Sequence, residues 1–212
     1  MPPELTAPIN EGGHWSYKNS ARVLDSKRLG KQRVEAYQIL QLLCGKSSKW
    51  ANHPAVLQWK GYEWSLFDYV SDICLVWKEE RGFVDTIYNK LDGLIIPGPT
   101  TEVLHPTLPP WMGNEEIHRS HRSRLLFKGR VDAALATLKI DLSIKKPHVW
   151  LKENGYPKSN VFTYDDIIRL EVYMSHVGGL RQFQPNHYHQ FAWGEDDNLP
   201  YVWPVRKTVV AP

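Results

Sequence analysis

Leu29, Ala36, Leu40 and Leu43 fall on one stripe of an α-helix, in a stretch that starts cationic and ends apolar. Between Lys18 and Lys49 stand eight Lys or Arg (18, 22, 27, 28, 31, 33, 46 and 49) against two acids, Asp25 and Glu35. The segment therefore holds +6 in a chain whose formal net charge is +3, and the rest sums to about −3. A helix of this kind, expected over Arg28–Leu43 with Gly45 at its C′ position, roots its end in a core and shows cations at its start. Arg28, Lys31, Gln32 and Glu35 lie together on a second side, at i, i+3, i+4 and i+7.

The remaining punctuation also favours helices. Three prolines and a Gly-Gly pair make residues 1–19 an irregular leader. One long helix is expected over 54–81, capped by Asn52 or His53, with Pro54 in its first turn and Gly82 at its end. A shorter helix follows around Val84–Leu91. Five prolines make 96–111 an extended loop. Asn114 followed by Glu115 and Glu116 starts a basic helix that is expected to run to Phe127, before Gly129. Three more helices are expected over Val131–Leu142, Pro147–Asn154 and Tyr164–Val177, the last with a Thr163/Asp166 capping box and a Gly178-Gly179 stop. No segment alternates like a strand.

At 212 residues the chain can bury one substantial core, and 42% hydrophobic residues with 23% charged is ordinary for a globular protein. No apolar run approaches the ~20 residues of a membrane span, and Met1-Pro-Pro-Glu-Leu-Thr6 is no secretory signal. Cys44 and Cys74 sit in apolar helical patterns and read as free thiols of a reducing compartment, which makes the cytoplasm the expected location. Walker, dinucleotide, Gly-x-Ser-x-Gly and zinc-deaminase signatures are absent. Basic patches with interleaved aromatics remain, and they point to nucleic acid.

Several residue groups carry chemistry of that kind. Arg22, Arg28, Lys31 and Arg33 suit phosphates, and Gln32 can hydrogen-bond a base edge. Glu35 suits acid/base work, or a plain i, i+4 pair with Lys31. His118 and His121, with Arg119 and Arg122, form a second cluster that can bind phosphate or begin a metal site. His53, His105, His187 and His189 are further imidazoles that nothing in the spacing selects. Trp111, Tyr201 and Trp203 in Pro-flanked loops, and Trp15 and Trp50, can stack on a base or fold back onto the core.

Ser20-Ala-Arg-Val-Leu-Asp25, Arg28-Leu-Gly-Lys-Gln-Arg-Val-Glu35, Asn52-His-Pro-Ala-Val56, Trp59-x-Gly61-Tyr62, Pro110-Trp-Met-Gly113, His118-Arg-Ser-His-Arg-Ser123 and Asp197-Asn-Leu-Pro-Tyr-Val-Trp-Pro204 resemble a bacterial and phage family grouped with the pyrimidine-dimer DNA glycosylases. The blocks cover about residues 15–128 and 185–204. The resemblance implies a helical enzyme that everts a nucleotide, attacks C1′ of the sugar with an amine, forms a Schiff base with help from a glutamate, and cleaves the strand by β-elimination. In the family the amine is N-terminal; here a leader of about ten residues precedes the first block, and Lys31 or Lys27 is the alternative. The best alignment puts Gly30 at the position of the family's glutamate, with Glu35 the nearest acid. Residues 129–183 read as an insertion relative to the family.

The sequence thus leads to a mainly α fold: a compact helical domain of about four to five core helices, 1–128 with 184–212, carrying a small inserted helical subdomain, 129–183. The expected function is a DNA glycosylase, with AP-lyase activity as a further expectation, for damaged or modified pyrimidines in double-stranded DNA. Glu35, Lys31, His118 and His121 are its expected catalytic residues. Arg22, Arg28, Gln32, Arg33, His53, Arg119, Arg122, Trp111 and Trp203 are expected to hold nucleic acid. The reading calls for no cofactor, no metal and no membrane. The alternatives are a nucleic-acid-binding protein without catalysis, and a nucleotide- or base-modifying enzyme built on the 118–122 cluster.

Overall fold

The computed structural model describes residues 17–98, 106–178, 188, 196–202 and 204. Among them it is helical, with no strand, as the sequence leads one to expect. The chain divides into two compact units, Met1–His118 with Val202–Pro212, and Arg119–Tyr201.

The first unit is assembled from α1 (Lys18–Arg22), α2 (Ser26–Leu43), α3 (Pro54–Leu57), α4 (Glu63–Leu75) and α5 (Tyr88–Leu91). Asp25 caps α2: its side chain accepts the Arg28 N–H at 2.9 Å and also holds the Arg28 guanidinium. Leu29, Ala36 and Leu40 are buried along α2, as their stripe requires. They face a core containing Leu66, Val70 and Ile73 of α4.

Aromatic rings run through this core. Tyr17 meets Tyr69 edge-on with centroids 5.4 Å apart, Tyr69 stacks on Trp59 at 5.8 Å, and Trp59 meets Trp111 edge-on at 5.0 Å. The polar tips of Tyr17, Tyr69 and Trp111 are satisfied, as buried aromatics require. Tyr17 Oη pairs with Ser65 Oγ at 2.7 Å, Trp111 Nε1 donates to the Gln58 carbonyl at 3.0 Å, and the Tyr69 hydroxyl pairs with the Gln32 side chain.

The expected helix over 54–81 is broken. Gly61, at φ +83°, turns the chain between α3 and α4, and its N–H is held by Glu63 Oε1 at 2.8 Å. This break lets Trp59 sit fully buried in a turn rather than on a helix face. At the far end α4 passes into a π-helical turn, Val76–Glu80, before Gly82 ends it at φ +70°. The helix expected from Val84 starts only at Tyr88. Asp85 instead uses one carboxylate oxygen to accept the N–H of Ile87 (2.6 Å) and of Tyr88 (2.7 Å), and gives the other to Arg33.

In α6 (Glu115–Ile140), Asn114 Oδ1 caps the start, accepting from the Glu116 and Ile117 N–H groups. The break expected at Gly129 does not occur. A glycine inside a helix costs about 1 kcal/mol, and the uninterrupted stripe Phe127, Val131, Ala134 and Leu138 outweighs it. In the second unit that stripe packs with Leu151 of α7 (Pro147–Glu153), Phe162, and Ile167, Leu170 and Met174 of α8 (Tyr164–Gly178). The expected capping box closes α8: Asp166 accepts from the Thr163 N–H and hydroxyl, and Thr163 Oγ1 accepts the Asp166 N–H. Arg130 ties α6 to Glu171 of α8 and to Asp197.

Candidate nucleic-acid site

α2 ends in a tight reversal. Gly45 takes φ +98°, and the Lys46 N–H returns to the Gln41 carbonyl at 3.0 Å. The chain then doubles back beside the helix. Ser48 organises the turn, its Oγ accepting the Trp50 N–H at 3.2 Å, and the Trp50 carbonyl accepts the His53 N–H at 2.9 Å. His53 caps α3 with its imidazole, Nδ1 accepting the Ala55 N–H at 3.1 Å. A neutral His53 ring held in this way carries its proton on Nε2.

Between α2 and this returning segment lies a cavity of about 590 Å³. Gln32, Glu35, Gln38 and Gln41 line it from the helix, and Lys46, Trp50 and His53 from the opposite wall. The volume falls within the range of sites for small organic ligands, roughly 300–1,000 Å³. Its polar lining is a carboxylate, several amides, two serine hydroxyls, an imidazole and one ammonium, a set suited to a base edge and a sugar rather than to a phosphate cluster. Lys46 Nζ is held near Gln41 Oε1 at 3.3 Å.

Three of the residues expected at a functional site, Gln32, Glu35 and His53, are therefore brought together in one place. Gln32 is buried and anchored through Tyr69. Glu35 is half-exposed and lies 3.4 Å from Lys31 Nζ. Lys31 itself, with its side chain 74% exposed, is not part of the lining. Lys46, which the sequence did not single out, and Trp50, which it left open between stacking and core packing, complete the cavity; their approach depends on a chain reversal that α2 periodicity does not reveal.

The other expected residues have different placements. Arg33 is buried, paired with Asp85 at 2.5 Å and lying 4.8 Å over the Trp77 ring, so its charge is spent inside the protein. Arg22 binds Glu80 with Nε and Nη2, the shortest contact 2.7 Å. Arg28 is held by Asp25 at 2.6 Å. Trp111 is buried against Trp59 and offers no stacking face. His118 is buried too, its Nε2 accepting the Gly113 N–H at 3.1 Å, which fixes the turn before α6.

Arg119, His121 and Arg122 belong to the second unit. There Tyr201 lies against His121 with centroids 4.3 Å apart and its Oη 3.2 Å from Nδ1. Trp203 lies outside the described residues, as do Trp15, His105, His187 and His189. Among the described residues, no group of three or more His, Cys, Asp or Glu is placed to hold a metal ion. Among the same residues, no helix is long and apolar enough to cross a membrane. Cys44 and Cys74 are free thiols, and burial pushes the Cys74 thiol up to about 12.

Gly30 bears on the acid. A Cβ built there would lie 3.0 Å from Cη2 of Trp77, so the position is filled by the indole and has no room for a carboxylate. Glu35, one and a half turns further along α2, is the acid that reaches the cavity.

Residues 14–90 match the family model described as pyrimidine dimer DNA glycosylase, and the grouping expected from the sequence blocks is borne out over that segment. The matched segment contains every residue that lines the cavity. No curated protein and no solved structure matched the chain.

Proposed function

We propose that the protein is a DNA glycosylase that excises a damaged or modified pyrimidine, with the Gln32/Glu35/His53 cavity as the place where the everted nucleotide is processed. The single observation that carries this reading is the convergence of Glu35, Gln32 and His53 on one cavity inside the matched segment. Gln32, its amide steadied by Tyr69, reads the base edge. Glu35 transfers the proton that base departure requires, a role typically worth 10²–10⁴-fold in rate. Lys27, Lys31 and Lys49, all exposed in the first unit, supply the sequence-independent attraction for DNA phosphates.

The same site supports strand cleavage. Lys46 is the amine that lines the cavity, and it takes the role for which the sequence offered Lys31 or Lys27. Once the Lys46 ammonium has given a proton to water, its nitrogen lone pair adds to the C1′ aldehyde of the abasic sugar, and loss of water gives an imine. Glu35 then takes a C2′ proton, the C3′–O bond breaks, and the 3′ phosphate leaves with the electron pair. Water hydrolyses the imine and frees the lysine.

Binding without catalysis is the second reading. It is favoured by the Lys31–Glu35 distance, which is that of an ordinary helix-surface pair. A catalytic role for His118 is not carried forward, because its ring is buried and engaged with Gly113.

The deciding experiment incubates the protein with UV-irradiated and unirradiated duplex and counts alkali-labile sites. The glycosylase reading expects sites in the irradiated duplex alone. Tight, salt-sensitive binding with intact DNA would leave the second reading in place.

A further inference from the structure

Trp50 is the unusual residue at this cavity. Large aromatics are normally folded inward: among the other described tryptophans of the first unit, Trp59 and Trp111 are buried and Trp64 and Trp77 half-buried. Trp50 is 62% exposed. It is nevertheless not loosely placed. Its backbone is fixed at both ends of a turn, the N–H by Ser48 Oγ and the carbonyl by the His53 N–H. Its indole lies on the His53 imidazole with centroids 5.0 Å apart and planes 23° from parallel. His53 in turn is locked as the cap of α3.

An indole backed by a second ring and presented to solvent has lost part of its conformational entropy before any ligand arrives. It also borders a cavity whose polar groups suit a base. Lys46 and Lys49 stand on the same exposed segment, 46–52, so cations flank the ring. An apolar core contact explains none of this, since the exposed indole is not in a core.

We propose that Trp50 is the base-stacking residue of the site: its exposed indole, backed by His53, stacks on the unpaired base that enters the Gln32/Glu35/His53 cavity. The ligand class is therefore DNA in which a base has already left the helical stack, rather than intact duplex. This inference rests on the glycosylase reading for what enters the cavity, but it concerns binding and not the chemistry. Stacking of one base on an aromatic side chain contributes about 1–3 kcal/mol, which corresponds to roughly five- to 150-fold in affinity.

The test measures affinity by fluorescence anisotropy for three probes: an intact duplex, the same duplex with one unpaired thymine, and the single strand. Wild type, Trp50→Phe and Trp50→Ala are compared, with helix content checked by circular dichroism. Trp50→Ala is expected to lose about tenfold on the unpaired-thymine and single-strand probes. It should change little on intact duplex, and the salt dependence should stay as in wild type, since phosphate contacts are untouched. Trp50→Phe, which keeps an aromatic face, is expected to recover most of the loss. Equal affinity of wild type and Trp50→Ala for all three probes overturns the stacking role while leaving the glycosylase reading untouched. A uniform loss on all three probes, intact duplex included, also overturns it. Failure of the glycosylase reading shows separately, as irradiated DNA left without alkali-labile sites by wild type.

Discussion

Gly30 and Trp77 are packed so closely that a methyl group on the glycine would sit 3.0 Å from Cη2 and 3.1 Å from Cζ3 of the indole. Trp77 cannot readily retreat, because its Nε1 donates to the Val84 carbonyl, Phe83 stacks on it at 4.3 Å, and Arg33 covers it. At an open helix site Gly→Ala is stabilising by about 1 kcal/mol. Here Gly30→Ala should instead lower stability, because overpacking a filled site costs roughly 1–3 kcal/mol. Gly30→Glu should cost more, and should not improve activity even though it places an acid where the best reading of the sequence blocks puts the family's glutamate. Denaturant midpoints check both variants, and a stabilised Gly30→Ala would show that the indole yields.

Arg33 and Asp85 form a buried ion pair whose loss should be costly on one side only. Arg33→Met leaves Asp85 buried with one oxygen unmatched and should lower stability by roughly 3 kcal/mol. Adding Asp85→Asn to that variant should recover part of the loss, because the amide carbonyl still accepts the Ile87 and Tyr88 N–H groups. Burial alone raises the Asp85 carboxyl, but those two backbone donors and Arg33 outweigh it, so it is held below the usual carboxylate range. Its contribution is thus present above about pH 4 and disappears as pH falls through the lowered value. Urea titrations of the single and double variants at pH 7 test the non-additivity.

Asp68 should act in the opposite sense. Burial, and after it the neighbouring Asp72, raises its carboxyl to about 6. Asp72 is committed elsewhere, accepting the Tyr17 N–H at 2.7 Å. The folded state therefore binds a proton that the unfolded state, at about 3.9, has already released. Stability from this group is complete below about pH 4 and is lost as pH rises through 6. Asp68→Asn should flatten that slope, leaving the variant more stable than wild type at pH 8 by roughly 1–2 kcal/mol and equal to it at pH 4. Parallel pH-stability curves for the two proteins would rule this out.

In the second unit, Arg130 is the polar link between α6 and α8. Its Nε donates to Glu171 Oε1 at 2.6 Å, its Nη1 to Asp197 at 3.0 Å, and its guanidinium lies 5.3 Å from the Tyr164 ring. Arg130→Met strands two partly buried carboxylates and should lower stability by about 3 kcal/mol. Hydrogen exchange should show the loss in α8. Unchanged protection there would mean that the hydrophobic stripe alone holds the helix.

The helical class was legible because stripes such as Leu29/Ala36/Leu40 and capping pairs such as Thr163/Asp166 are local. Three readings failed for reasons that local pattern cannot carry. Gly129 looks like a stop, yet the stripe across it is continuous in three dimensions, and burial outweighs propensity. Gly61 looks like an interior glycine of a long helix, but its positive φ turns the chain so that Trp59 can enter the core. Val84–Asp85 look helical until Asp85 is seen to serve Arg33, 52 residues away in sequence. The same limit governs the site. Gln32 and Glu35 share a helix face and were readable, whereas Lys46 and Trp50 come to the cavity only through the reversal at Gly45. The basic residues were counted correctly as charges, but Arg33 is turned inward by an acid that no helical wheel contains.

The proposed function turns on Glu35 transferring the proton of base excision in the cavity that it shares with Gln32 and His53. The most direct measurement is single-turnover base release from a duplex carrying one cyclobutane pyrimidine dimer, by wild type and Glu35→Gln, with binding to the same duplex measured alongside. The account predicts release by wild type, a fall of 10²–10⁴-fold in the variant, and affinity within a few-fold of wild type. Release by Glu35→Gln at the wild-type rate would contradict it.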